Sequence, residues 1–376
     1  ILKLCVEVGG CLTGEHGVGI EKRDLMHVQY AANDLEAQMD ALRYFKGSQQ
    51  LHISASEVTG RLPLMQVSDK LSFLAEVILE QALALAWHEL TVKHGRPAND
   101  DDNEGFAIFA YGKLGGIELG HNSDLDLVFI YDATLQGQTD GERPLDHTVF
   151  YTRLGQKIIH ILDARTAMGQ LYEVDMRLRP SGNSGMLVSS FKAYRDYQLN
   201  SAWTWEHQAL VRARFIAGDV KLGARFRELR QQVLAQKRDP AVLAQEVVDM
   251  RDKMRAHLLS GDQADEKHFH LKQGLGGIVD IEFLVQFAVL AWAGEHPQLT
   301  DWSDVVRILE TLQKTELLPA ATTAALSEAY ISYRSASHQL ALQQLSGVVA
   351  AEPYVAQRAM VVEQWRTVVS DNLPQI

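Results

Sequence analysis

Apolar positions recur at helical spacing early in the chain and then switch to strand patterns. Leu71, Leu74, Ile78, Leu79, Ala82 and Leu85 follow Asp69 three or four residues apart. That spacing predicts a helix capped at Asp69, within a helical stretch that begins near residue 36 and ends near 98. Phe106–Tyr111 is an unbroken apolar run of strand length. A second strand follows, with Leu125, Leu127 and Phe129 on one face. Helical spacing returns over Val149–Met168, and further strands are predicted over Tyr172–Leu178 and Gly185–Ser190. Beyond residue 203 strand signals nearly vanish. Helices are predicted at 219–237, 240–260, 277–293, 303–315, 319–344 and 354–370, a pattern that suits a helical bundle. No internal repeat or low-complexity tract is visible.

The second strand carries candidate chemistry. It is preceded by Gly112-Lys-Leu-Gly-Gly-Ile-Glu-Leu-Gly-His-Asn-Ser123 and opens with Asp124-Leu125-Asp126. Strand side chains alternate, so Asp124 and Asp126 share the face opposite Leu125, with roughly 7 Å between them. Two carboxylates so placed repel unless a positive charge sits between them. Mg²⁺ is commonly held by one or two carboxylates together with substrate phosphates. Gly115 and Gly116 would let backbone N–H groups approach those phosphates. In Tyr172-Glu-Val-Asp-Met-Arg-Leu-Arg179 alternation places Glu173, Asp175, Arg177 and Arg179 on one face, which supplies a third carboxylate and two phosphate-neutralising guanidiniums. One Asp-x-Asp alone reads equally well as a solvated strand edge. With the double glycine, Ser123 and the later acidic and basic strand, the set reads as a metal-dependent nucleotide site, covered by a mobile polar loop at Thr134–Pro144.

These residues resemble the DNA polymerase β-like nucleotidyltransferase superfamily. Tyr111–Tyr131, Val174–Gly182, Ala202–Arg214 and Leu271–Phe283, in that order, look like the glutamine synthetase adenylyltransferase family, and the wording resembles its C-terminal, adenylylating half. The resemblance runs from about residue 36 to the C-terminus. It implies an α+β fold: a nucleotidyltransferase core with a mixed sheet at 104–217, N-terminal helices at 36–103 and a helical bundle at 218–376. It further implies transfer of AMP from ATP to a tyrosine hydroxyl of glutamine synthetase, with release of pyrophosphate. Asp124, Asp126 and Asp175 would hold Mg²⁺, and Asp175 would help deprotonate the tyrosine. Gly115, Gly116, Ser123, Arg177, Arg179 and Lys272 would contact ATP. Two alternatives stay open, phosphorolytic removal of AMP and a non-catalytic nucleotide-binding regulatory module. A PII-type signalling protein is a candidate partner.

Residues 1–35 fit a different picture. Ile1–Met26 is similar to the C-terminal end of FAD-linked oxidases of the glycolate and D-lactate type, with Glu15 and His16 in a Gly-Glu-His-Gly motif. Both cysteines, Cys5 and Cys11, fall here, and the flavin domain that motif serves is absent from the sequence. The segment reads as a foreign remnant, and a chain beginning at Ile1 reads as a fragment. Two cysteines among 376 residues fit a reducing cytoplasm better than a disulfide framework. No run of 18 apolar residues predicts a membrane span. A net charge of −12 disfavours nucleic acid as a partner. His268-Phe-His270 lacks neighbouring acids or cysteines and reads as structural. Arg212 and Arg214 are candidates for contact with the triphosphate or with site carboxylates.

Overall fold

A proline and a glycine set the ends of the longest helix. In this computed structural model, which describes residues 35–97, 105–132, 137–258 and 267–373, helices α1 (Leu35–Val58) and α2 (Leu64–His94) come first. Pro63 separates them, as expected of a residue that cannot donate within a helix. Gly95, at φ 75°, ends α2 and donates its N–H to the Thr91 carbonyl at 2.8 Å. The expected cap at Asp69 is corrected: Asp69 lies inside α2, because the buried stripe already starts at Leu64 and Val67. Length and composition alone would let α2 cross a membrane, alone among the described helices. Most of its apolar side chains, among them Leu71, Leu74, Ile78 and Leu79, instead enter the core. The oxidase-like residues 1–34 lie outside the described residues.

The chain forms two compact units, the first comprising the described residues up to Tyr197 together with Arg214–Phe226. Its centre is a five-stranded mixed sheet in the order β3-β2-β1-β5, with β4 also on β2. The strands are β1 (Phe106–Ala110), β2 (Leu125–Tyr131), β3 (Val174–Asp175), β4 (Val188–Ser190) and β5 (Arg214–Gly218). A short helix α3 (Gly112–Gly115) follows β1, α4 (His147–Asp163) follows β2, and α5 (Phe191–Asn200) follows β4. β1 runs antiparallel to both β2 and β5. β3 and β4 pair parallel with the start and the end of β2, respectively.

Leu125, Leu127 and Phe129 of β2 join side chains of α1, α2 and α4 in one apolar cluster. On the opposite face Phe109 stacks on Phe226 with ring centroids 4.0 Å apart. A sheet covered on both faces needs apolar residues on both, which is why Val128 and Ile130 are buried too.

Three local expectations change. β3 is two residues long, not the full Tyr172–Leu178, because the chain turns back at Arg177 to bond Asp175. β5 is a strand in the region where strand signals nearly vanish; its short run is fixed by pairing with β1. Of the loop expected to be mobile, Thr134–Gln136 lie outside the described residues, and the rest is tied to the end of α2. Gly141 donates to the His94 carbonyl at 3.1 Å, and Asp140 accepts from Arg96 N–H at 2.7 Å.

The second unit comprises Gln198–Ala213 and the described residues from Arg227 onward. It holds α6 (Thr204–Val211), most of α7 (Val220–Leu234), α8 (Pro240–Leu258), α9 (Ile278–Trp292), α10 (Val305–Lys314), α11 (Ala320–Leu342) and α12 (Val355–Val368). Strands β6 (His268–His270) and β7 (Val348–Ala350) pair antiparallel. Helix α9 is buried on nearly all sides, as a central bundle helix must be.

Candidate functional site

The parallel pairing of β2 with β3 brings the carboxylates together. Asp126 is the direct register partner of Asp175, so their Cα atoms are one strand spacing apart, about 4.8 Å. The Leu125 N–H fixes this register by donating to the Glu173 carbonyl at 2.9 Å. Asp124 stands exposed immediately before β2, and Asp126 is half-buried within it. Leu125, fully buried between them, forces both carboxylates to the opposite face.

Arg177 completes the cluster. Its guanidinium meets the Asp175 carboxylate through Nε at 2.8 and 3.0 Å and through a terminal nitrogen at 2.5 Å, while its backbone N–H adds a bond of 2.8 Å. Burial would raise the Asp175 pKa, but the hydrogen bonds and charge of Arg177, with the charge of Arg179, outweigh it and hold the carboxyl below its ordinary value. The Arg177 pKa is raised, chiefly by its hydrogen bonds and ion pair with Asp175 and further by the charges of Asp126 and Asp124. One guanidinium thus feels all three carboxylates. It is 71 % exposed, so it remains open to an anion from solvent.

The glycine turn lies against Asp126. Gly112 has φ +54°, and a Cβ there would fall 2.0 Å from Asp126 Oδ2. Only a glycine lets the chain turn this close to the carboxylate. The next two glycines act differently from expectation: Gly115 N–H donates to the Tyr111 carbonyl at 2.9 Å and Gly116 N–H to the Gly112 carbonyl at 3.1 Å. Both N–H groups are turned into the helix turn. Ser123 Oγ accepts from Gly120 N–H at 3.0 Å and closes the loop before Asp124.

The remaining candidates separate into two groups. Arg179 donates to the Met176, Asn183 and Gly185 carbonyls, holding the turn after β3. Arg214 pairs with Glu76 at 2.6 Å and donates to the Leu114 and Gly115 carbonyls, so it supports the glycine turn from β5. Arg212 and Lys272 belong to the second unit. Arg212 is buried and bonded to Glu282 at 2.5 Å. Lys272 is exposed in the loop between β6 and α9. That loop's glycines serve close packing, since a Cβ on Gly276 would lie 2.6 Å from the Arg358 carbonyl. His270 accepts N–H bonds from Lys272 and Gln273, a structural role as expected. Gly112 and Arg214 are the positioning residues that sequence reasoning undervalued; only their contacts across the sheet distinguish them from neighbours of the same type.

Three hard oxygen donors, with no thiolate or imidazole among them, suit a divalent cation such as Mg²⁺ better than a softer metal. Asp175, held ionised by Arg177, is available as such a donor. The cluster faces solvent at Asp124 and Arg177, where a polyphosphate has access.

Comparison with known proteins points the same way. Residues 15–229 match the family model for glutamate-ammonia ligase adenylyltransferase, and residues 249–347 match that for GlnD PII-uridylyltransferase. Bifunctional glutamine synthetase adenylyltransferase/adenylyl-removing enzymes are close relatives. That of Pseudomonas syringae pv. tomato is 53% identical over 350 residues, covering 90% of this chain and 36% of the relative. Those of Shewanella frigidimarina and Nitrosococcus oceani are 52% and 51% identical, again over 90% of this chain and 35% of the relative. The chain spans about a third of the length of these relatives.

Proposed function

Because this chain belongs to the glutamate-ammonia ligase adenylyltransferase family, we propose that it transfers AMP from ATP to a tyrosine hydroxyl of glutamine synthetase. The observation that carries the proposal is the register pairing of Asp126 with Asp175 beside Asp124 and Arg177. In the reaction the tyrosine oxygen bonds to the α-phosphorus, the bond from that phosphorus to the bridging oxygen breaks, and pyrophosphate leaves.

Asp124, Asp126 and Asp175 are assigned as the ligands of Mg²⁺. Bound there, divalent cations supply Lewis-acid stabilisation of charge on the reacting phosphoryl group. Arg177 keeps Asp175 ionised, which suits a cation ligand better than a strong base. A proton moving from a phenol of pKa about 10 to an ordinary aspartate carboxyl of about 3.9 goes uphill by roughly 8 kcal/mol, and the lowered pKa of Asp175 makes the step steeper. Asp175 therefore assists the deprotonation only where the phenol is already acidified.

Arg177, exposed beside the cluster, is assigned to the phosphates of ATP. Ser123 and the Gly115-Gly116 turn shape the same edge, with Arg179 holding the turn behind Arg177. A foreign remnant at 1–35 and boundaries at 103 and 217 remain the proposed division, although the family match already begins at residue 15 and the compact units place Gln198–Ala213 with the second unit and Arg214–Phe226 with the first. So is a cytoplasmic location. The match over residues 249–347 supports a PII-type signalling protein as the regulatory partner.

The relatives' name also includes AMP removal, which makes phosphorolytic deadenylylation at the same carboxylates the second reading. Incubation with α-labelled ATP, Mg²⁺ and glutamine synthetase tests the first. Label on a synthetase tyrosine supports transfer. Unlabelled synthetase, together with phosphate-dependent release of the adenylyl group as ADP from adenylylated synthetase, supports removal.

A further inference from the structure

Helix α1 buries Met39, Leu42, Phe45 and Ile53 in the core of the first unit. Beside that apolar face runs a second stripe, Asp40, Arg43, Lys46, Gln50, Ser54 and Glu57, spaced three or four residues apart and so aligned along the helix. The N-terminal half of the stripe holds one loop. Asp40 accepts from Thr166 Oγ1 at 2.7 Å, and Arg43 donates to the Gly169 carbonyl at 2.8 Å and to the Ala164 carbonyl at 2.5 Å. Lys46 donates to the Leu171 carbonyl and lies 4.0 Å over the Tyr172 ring. The C-terminal half holds another loop. Gln50 donates to the His121 carbonyl at 3.0 Å, Ser54 Oγ lies 3.3 Å from His121 Nδ1, and Glu57 meets His121 Nε2 at 2.5 Å.

The two loops lead to the two sides of the carboxylate cluster. The segment held by Asp40, Arg43 and Lys46 runs into β3 and delivers Asp175; the turn held by Gln50, Ser54 and Glu57 delivers Asp124. We propose that α1 is a positioning splint that sets the separation of Asp124 and Asp175 by holding both delivery loops from one rigid helix face.

Two physical points favour this over ordinary helix packing. Burying a cationic side chain is costly unless it is well bonded. Arg43 is 4 % exposed and still directs its bonds at loop carbonyls. Burial also lowers the Lys46 pKa to about 8, a cost that an apolar residue packed at the same place would not carry. Moreover, β3 is only two residues long and pairs only with β2 among the described strands. Short segments with few ladder bonds open readily on their own. Without bonds from outside the sheet, the Asp175 side of the cluster would be its loosest part.

The proposal rests on the metal-site reading only for its functional consequence, so its test has two arms. Hydrogen exchange by mass spectrometry on the full chain, without metal, compares wild type with Lys46→Met and Gln50→Ala. Faster exchange confined to 171–176 in the first variant and to 119–126 in the second is the expected result. Exchange unchanged in both segments, or raised evenly across the unit, overturns the splint. In the second arm, Mn²⁺ binding is titrated with Asp126→Asn as control. Each α1 variant is expected to weaken it about tenfold, the usual loss when a group orienting a metal ligand is removed. Mn²⁺ bound as tightly as in wild type, alongside loosened loops, also overturns the positioning role. Wild type that binds no Mn²⁺ refutes the metal-site reading instead, and the exchange arm then decides the splint by itself.

Discussion

Replacing Gly112 by alanine separates the stability of this fold from the placement of its carboxylates. The added Cβ would lie 2.0 Å from Asp126 Oδ2, whereas ordinary contact begins near 3.4 Å, so the carboxylate must retreat by more than an ångström. The obstructing atom is the far end of a short side chain and not backbone, and the strand can stay where it is while the oxygen moves. What remains for stability is the left-handed backbone at φ +54°. It costs a non-glycine residue about 1–2 kcal/mol, a fall in Tm of roughly 2–8 °C for a unit of this size. Function should suffer far more, because a misplacement of about 1 Å can cost about 100-fold in rate, or about 2.7 kcal/mol. The assay is initial-rate transfer of α-labelled AMP to glutamine synthetase across an Mg²⁺ titration, with thermal melting in parallel. A small drop in Tm with a large loss of rate, partly recovered at high Mg²⁺, is expected. A Gly112→Ala variant with wild-type rate and wild-type Mg²⁺ dependence would refute the claim that this glycine sets the position of Asp126.

Three further outcomes are expected. Asp126→Asn should lower the transfer rate by several orders of magnitude with little change in Tm, since a lost metal ligand removes several kcal/mol of transition-state stabilisation; single-turnover transfer at saturating Mg²⁺ checks it. Arg214→Ala strips the donors to Leu114 and Gly115 and leaves Glu76 without its cation; a loss of about 1–3 kcal/mol in urea melts is expected, with a lower rate that Arg214→Lys restores only in part. The Asp175 pKa is lower folded than unfolded, so its contribution to stability is present above the ordinary value near 3.8 and fades as pH falls through the folded value. Urea melts of wild type and Asp175→Asn should therefore converge below about pH 4, from a gap of less than about 1 kcal/mol because Arg177 is so exposed.

The helices were the most legible part of the sequence. The bundle helices expected at 240–260, 277–293 and 319–344 match α8, α9 and α11 within a few residues, because their apolar periodicity is long enough to outweigh local noise. Strands fared worse where their information was tertiary. β5 has only five residues and little alternation, and it exists because β1 offers it a partner. β3 shrank to two residues for a local electrostatic reason: Arg177, two positions beyond Asp175, is better satisfied by turning back onto the carboxylate than by continuing the strand. The alternation that suggested a longer strand was real, but the charges on it decided the backbone.

The site divides along the same line between local and long-range information. Asp124 and Asp126 are close in sequence, and strand periodicity alone puts them on one face. Joining Asp175 to them needed a register that no local pattern encodes, and the structure supplies it through the Asp126–Asp175 pair. The glycines illustrate what remains hidden. Gly112, Gly115 and Gly116 look alike in the sequence. The first lies against the Asp126 carboxylate; the other two turn their N–H groups inward to close a helical turn. Sequence pattern thus identifies the chemistry a segment can carry, whereas contacts between elements decide which of several equivalent residues carries it. The same holds for Arg43, Lys46 and Gln50, which read as ordinary polar positions of a helix until their partners, the carbonyls of two distant loops, are known.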